Sequence, residues 1–237
     1  MEAGEGKSEE TARLLARLRS FCFPGGEDRA RSVRSVRTTQ SGEMRMSPES
    51  RWVPFTAEEV TDATRSSFRW EAHPNPGKIA SPTVIDAYED GHGYLAVKVG
   101  GIPVKRVKGL DADRGELQRY LGSVILCPPI LLNHPSLEWT AVGALTLRVR
   151  DRIDSTGATI DLEISEEGCP MMCRAERPRL VGKHAFMTAW SGSSLEFREW
   201  EGMRVARLME AAWHLPEGLF TYYRAEIVSL TAQRQEK

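Results

Sequence analysis

The chain lacks the residue patterns that announce a common chemistry. It has no G-x-G-x-x-G after a strand, no P-loop lysine, no H-E-x-x-H and no G-x-S-x-G. That removes the commonest nucleotide-binding, zinc-protease and hydrolase readings. Cysteine is scarce, with four residues: Cys22, Cys127, Cys169 and Cys173. Cys169 and Cys173 stand in C-x3-C and the other two are solitary, so the second ligand pair of a zinc site is missing and reduced thiols are expected. No two of the five histidines have ligand spacing, so neither metal nor cofactor is expected. No apolar run is long enough to span a membrane; the longest, Tyr120 to Leu132, is broken by Pro128 and Pro129. The first residues, MEAGEGKSEETARLL, are polar and hold no apolar signal core, which reads as a cytoplasmic chain. Net charge is also lacking: 32 Lys and Arg stand against 33 Asp and Glu. This balance argues against a nucleic-acid partner. Arg29, Arg31, Arg34 and Arg37 form one local basic run, read as a solvated stripe beside the first strand.

What is present is β periodicity. Residues 8 to 21 read as a helix with Leu14, Leu15 and Leu18 on one face, ended by Pro24-Gly25-Gly26. From Val33 the period becomes two. Ser32 to Met46 reads as two strands around Ser41-Gly42, Trp52 to Phe55 as a third, and Ser67 to His73 as another before Pro74-Asn75-Pro76-Gly77. Phe55 to Val60 fits either a short helix or more sheet. Thr83–Tyr88, Tyr94–Val99 and Ile102–Val107, joined by Gly-rich turns, form an antiparallel meander. Residues 113–132 read as a helical insertion stopped by Pro128-Pro129. Strict alternation returns at Leu145–Arg150 and Ala158–Ile164, and five further strands follow, with Ser191-Gly192-Ser193-Ser194 as a polar loop. The count is about ten strands.

No internal repeat or linker is evident, and 237 residues suit one large β unit. The expected organisation is an N-terminal helix and connector at 1–31, one curved-sheet domain at 32–231, and a tail at 232–237. The fold class is mainly β with a few helices (α+β). A sheet this long must curl or be covered, as a half-barrel plugged by helices or as a closed barrel.

One set of residues resembles an uncharacterised bacterial family that carries only a domain-of-unknown-function label. The pattern is W52-x-P-F-T-A, F68-x-W70, D86-A-Y88-x-D90-G-x-G93, R119-Y120-L121, F197-x-E199-x-x-G202 and W213-H214-L215-P216-x-G218-x-F220-x-Y222-x-R224, over roughly residues 35 to 230. The W-H-L-P-x-G run is its most specific part. The resemblance implies a fold similar to the periplasmic lipoprotein-carrier half-barrel: a strongly curved antiparallel sheet, with the N-terminal helix and the central insertion covering its concave face. It implies no activity.

The candidate site follows from aromatic and polar residues in strands. Trp52, Trp70, Trp139, Trp190 and Trp213, with Tyr88, Tyr222 and Arg119, are candidate ligand-binding residues; the rings either fill the core or line an apolar cavity. Asp86, Glu199 and Glu210 stand among apolar neighbours, where a carboxylate must be paired or protonated if buried. Arg119 and Arg224 are candidate partners. His214, at a strand end, is the one histidine worth testing. Asp86, Glu199, Glu210 and His214 are therefore the candidate catalytic residues, weighed against ion pairs that only fix register. Two functions result. One is binding of an apolar small molecule (lipid, acyl, or terpenoid- or polyketide-like); the other is a cofactor-independent cyclase or isomerase using a buried carboxylate in the same cavity. An interaction module working through a sheet edge is a third, weaker reading. Oligomeric state is left open.

Overall fold

The computed structural model describes residues 2–75, 77 and 82–235. Residue 1 of the expected N-terminal segment, Pro76 of the expected break and residues 236 and 237 of the tail lie outside the described residues. Helix α1 (Glu2–Cys22) opens the chain. Six strands follow as a meander: β1 (Val33–Met44), β2 (Val53–Asp62), β3 (Phe68–Pro74), β4 (Pro82–Glu89), β5 (His92–Val99) and β6 (Ile102–Val107). A helical segment then intervenes, α2 (Leu110–Gly122), a 3-10 turn at Ser123–Ile125, and α3 (Ile130–Asn133). A second meander completes the chain: β7 (Leu137–Gly143), β8 (Thr146–Asp151), β9 (Ile160–Ile164), β10 (Pro170–Val181), β11 (His184–Trp200), β12 (Met203–Leu215) and β13 (Gly218–Arg234).

The thirteen strands form one open, curved, antiparallel sheet in the order β6-β5-β4-β3-β2-β1-β13-β12-β11-β10-β9-β8-β7. First and last strands meet in the middle, from Val33 opposite Arg234 to Met44 opposite Tyr223, so chain closure zips the two meanders together. The helical segment leaves β6 at one edge and enters β7 at the other. On its way α2 packs on β4 and β5 and on β8, β9 and β10, and so covers the concave face. Its buried side is Leu117, Tyr120 and Leu121, continued by Val124. Each such side chain, fully buried, contributes about 1.5–3 kcal/mol. The Tyr120 hydroxyl donates to the Asp62 carbonyl at 3.0 Å, which fixes the helix against the end of β2.

An open sheet has two edges, whose unpaired backbone groups invite association. At β7, α1 covers the edge, and Thr11 Oγ1 accepts the Ala141 N–H at 2.8 Å. At β6, Pro103, Lys105 and Arg106 occupy the strand itself.

Several expectations are corrected. Ser32–Met46 holds one strand, Val33–Met44, not two, and Gly42 lies inside it. A Cβ there would meet the Arg224 carbonyl oxygen at 2.1 Å and the Phe55 ring at 2.9 Å, so glycine serves close approach rather than a turn. Phe55–Val60 is sheet. Ser191–Ser194 is the middle of the long strand β11, not a loop. Strand β7 carries no clear alternation and was not expected, and the described residues hold thirteen strands against an expected ten or so. Strand β13 runs into the stretch read as a tail. The basic stripe is solvated, and two of its four arginines are paired: Arg31 with Glu27 and Arg37 with Glu58.

Candidate functional site

The inward residues of β1 to β4 begin as an apolar set and then turn polar. Phe55 and Ala57 are followed on the same face of β2 by Glu59, and on β1 Val36 shares its face with Thr38 and Gln40. Glu59 is 3% exposed and Gln40 2%. Buried polar groups at such positions need partners, and they have them. Gln40 Nε2 donates to Glu59 at 3.0 Å, while Gln40 Oε1 accepts the Trp70 indole N–H at 3.0 Å and the Tyr223 hydroxyl at 2.8 Å. Phe55 stacks on Tyr223, with centroids 5.4 Å apart, and meets Trp70 edge-on at 5.8 Å.

Helix α2 brings Arg119 down onto this network. Its guanidinium bonds to Asp86 of β4 and reaches Glu59 at 3.4 Å, lying over the Phe68 ring at 4.7 Å and the Trp70 ring at 5.1 Å. Burial alone would lower its basicity; the carboxylates of Asp86 and Glu59 hold it charged. One helical turn earlier, on the same side of α2, stands Glu116. Burial, and Asp86 beside it, push the Glu116 carboxyl up to about 8, against the opposite pull of Arg177 and Arg119. Glu116 Oε2 and Asp86 Oδ1 are both buried and accept no N–H or hydroxyl. A protonated Glu116 can donate to Asp86, which satisfies both oxygens. Protonation also balances the cluster, leaving Glu59 and Asp86 against Arg119 and Arg177. Arg177 of β10 is 8% exposed; it donates to the Gly115 carbonyl at 2.7 Å and lies over Trp190 at 4.6 Å, and its Nε has no partner.

A row of rings continues from this cluster along the concave face. The β12–β13 register slips between Ala211 and Ala212, leaving Tyr222 as an extra residue in β13. Such a bulge breaks the alternation, so Tyr222 and Tyr223 both turn inward. Tyr222 stacks on Trp213 at 5.9 Å, and its hydroxyl accepts the Trp190 indole N–H at 3.0 Å. Gly192 makes room for the Trp190 ring, since a Cβ there would lie 2.9 Å from it. Trp213, Tyr222 and Tyr223 are half-buried, and Arg119 and Asp86 keep 21% and 18% of their side chains exposed, so solvent reaches the row.

Of the sequence candidates, the structure brings together Asp86, Arg119, Trp70, Trp190, Trp213 and Tyr222. The others lie elsewhere. Tyr88 is 5% exposed and fills the core against Phe68, its phenol pushed up to about 12 by burial. Trp139 sits in edge strand β7 opposite Val149. Trp52 lies outside the cluster, between the guanidiniums of Arg45 at 4.6 Å and Arg224 at 4.7 Å. Glu199 is exposed, opposite Arg204 of β12, so it lacks the desolvation expected of a buried acid, while Phe197, two residues earlier, packs edge-on against Phe21 of α1. Glu210 faces outward and pairs with Arg224 at 2.8 Å. His214 is exposed, its Nε2 2.9 Å from Ser191 Oγ. Glu59, Gln40, Glu116, Arg177 and Tyr223 escaped notice. Strand parity with Phe55 would have found Glu59; the spacing of Glu116 and Arg119 would have found the acid.

Of the two roles open to the rings, core or cavity lining, Trp70 and Tyr88 take the first: with Phe68 they fill the space beneath α2. Two open depressions measure about 470 and 640 Å³; the first is lined mostly by polar side chains and touches Trp190, and the second, with a more apolar surface, lies on the convex side around Arg37, Glu58 and Arg69. A second polar network has the residue types of a hydrolytic triad without its wiring. Ser66 and Ser136 both donate to Asp151 at 2.6 Å, and His134 contacts the two serines instead of the carboxylate. With Asp151 engaged by the serine hydroxyls, no carboxylate orients the imidazole as a base.

The chain belongs to a family of unknown function, DUF6544, whose model matches residues 18–225. No curated protein matches it. Among solved structures it is similar to a LolA superfamily protein from Nitrosomonas europaea (9% identity, 95% and 94% of the two chains covered, TM-score 0.52). It is also similar to a DUF1329 family protein from Desulfovibrio piger (7%, 97% and 94%, TM-score 0.53). A putative outer membrane lipoprotein-sorting protein domain from Vibrio parahaemolyticus aligns at TM-score 0.43 (9%, 98% and 94%). The fold is therefore LolA-like, as the resemblance implied. The cytoplasmic placement expected from the polar N-terminus is contradicted by the LolA superfamily neighbour. Among the described residues no helix is long and apolar enough to cross a membrane.

Proposed function

We propose that this member of a family of unknown function binds an amphiphilic small molecule on its concave face, in a periplasmic setting. The observation that carries the reading is the half-buried aromatic row of Trp213, Tyr222 and Tyr223 running into the charged cluster of Asp86, Glu116, Arg119 and Arg177. Rings offer an apolar body a large contact area, and a few convergent polar groups fix its orientation. A lipid or acyl chain along the rings, with its polar end at Arg177 and Glu116, satisfies both halves. The LolA-like fold is consistent with such a ligand.

Native mass spectrometry of the freshly purified protein, followed by extraction of anything bound, tests this. A co-purifying lipid or acyl species is the expected result, and Trp213→Ala should weaken its rebinding about tenfold or more. A bare mass from several hosts, with no uptake of added fatty acid or phospholipid, would sink the proposal.

One observation favours a second reading. A carboxyl held protonated near neutral pH beside a carboxylate, in a ring-lined site, is equipped for general acid chemistry on an apolar substrate. In that reading Glu116 is the acid and Asp86 its partner. Glu116→Gln should then abolish turnover of the extracted ligand while leaving its binding intact, whereas a carrier would lose neither.

A further inference from the structure

Two hairpins stand out for their charge and their apolar surface. Between Asp90 and Asp111 the sequence has no acid and four cations, Lys98, Lys105, Arg106 and Lys108. This stretch is the β5–β6 hairpin, where Val99, Ile102 and Val104 are exposed, Ile102 by 70%. Between Glu176 and Glu196 there is again no acid, and Arg179 and Lys183 are present beyond the buried Arg177. This is the β10–β11 hairpin, where Leu180, Val181, Phe186 and Met187 are exposed, Phe186 by 56%. Of the fifteen exposed large apolar side chains among the described residues, seven sit on these two hairpins. Arginines elsewhere on the sheet are largely matched to carboxylates across strands, yet among the described residues none of Lys98, Lys105, Arg106, Arg179 or Lys183 makes an ion pair.

The topology brings the two together. Alternation of strand direction puts the β5–β6 and β10–β11 turns at the same end of the sheet, with the β1–β2 and β12–β13 connections. The β10–β11 hairpin also overhangs. β9 pairs with β10 only as far as Arg174, and β12 pairs with β11 only from Trp190, so residues 176–189 form a ribbon with no strand on either side. Protection of a bare edge explains lysine and proline in β6. It does not explain why valine, isoleucine and phenylalanine crowd the same two tips. Apolar residues ringed by unpaired cations suit an interface where hydrocarbon lies beneath anionic headgroups.

We infer that this end of the sheet docks on an anionic lipid surface, with the β5–β6 and β10–β11 tips entering the headgroup layer and their lysines and arginines meeting lipid phosphates. The inference stands on surface residues that the concave site does not use.

The test is co-sedimentation of the whole chain with phosphatidylcholine vesicles with and without phosphatidylglycerol. Binding should require phosphatidylglycerol and weaken with added salt. Lys105→Glu with Lys183→Glu should lower it by at least about five-fold per charge lost. Ile102→Ser with Phe186→Ser should lower it about tenfold or more. These side chains are exposed, so far-ultraviolet circular dichroism should be unchanged; if a double variant unfolds, Ile102→Ser and Lys183→Glu alone carry the same comparison. Equal binding to both vesicles, no binding to either, or tip variants that bind like the parent overturns the inference. Retention of a concave-site ligand by the tip variants separates this result from the fate of the binding proposal.

Discussion

Two arginines in this molecule do the same thing on opposite faces of the sheet. Arg119 bridges Asp86 and Glu59 and lies on Phe68 and Trp70. Arg224 bridges Glu210 and Glu43, at 2.8 and 3.6 Å, and lies on Trp52. The constellations match in residue type, and the difference is water. The Arg119 side chain is 21% exposed over a Glu59 that is 3% exposed; the Arg224 side chain is 48% exposed over a Glu43 that is 42% exposed. In the wet site the charges are screened and need nothing further. In the dry site desolvation must be met atom by atom, and here it is not wholly met. The cluster draws a proton onto Glu116 and leaves Arg177 Nε without a partner. That incompleteness marks the concave cluster, and not its convex twin, as the candidate site.

The sharpest way to break the comparison is to delete the two arginines in turn. Arg119→Ala leaves Glu59 and Asp86 buried and uncompensated, and a stability loss of about 3–5 kcal/mol is expected in urea denaturation. A loss as small as that of a surface pair would mean that solvent screens the cluster as fully as the convex pair and that the buried-site argument is wrong.

The proton on Glu116 gives a smaller effect with a definite sign. Its folded-state pKa, about 8, lies above the unfolded carboxyl value of about 4.3. Between those values the folded state holds more protons than the unfolded one. Stability from this group is therefore full below the lower value and falls as pH rises toward the upper one. Glu116→Gln keeps a neutral, hydrogen-bonding side chain and should remove that fall, so the variant gains on the parent between pH 5 and pH 9. Parallel pH profiles for the two proteins would place the shared proton elsewhere.

How much of this could be read in the sequence follows from the same contrast. The β5 meander and the alternation in β8 and β9 are local patterns, and they appear where expected. So does α2, because Leu117, Tyr120 and Leu121 recur at helical spacing. Gly42 and Gly192 misled because glycine signals a turn by composition and close approach only by context: one clears space for Phe55 and the other for Trp190. Asp86 and Arg119 were legible as an acid and a base needing partners. Glu199 was not separable from them, since strand parity does not tell that Phe197 is covered by α1 while Glu199 stays in water. Tyr223 was hidden likewise, by a bulge that only the β12–β13 pairing reveals.

The convex arginine supplies the smallest effect and the control for the rest. Arg224→Ala should cost under about 1 kcal/mol, and that cost should shrink further in high salt, because both partners remain hydrated once it is gone. What it removes is packing on Trp52, so the loss should appear more clearly in tryptophan fluorescence than in the denaturation midpoint. A salt-insensitive loss as large as that of Arg119→Ala would show that burial does not distinguish the two clusters. The assignment of the site to the concave face would then rest on the aromatic row alone.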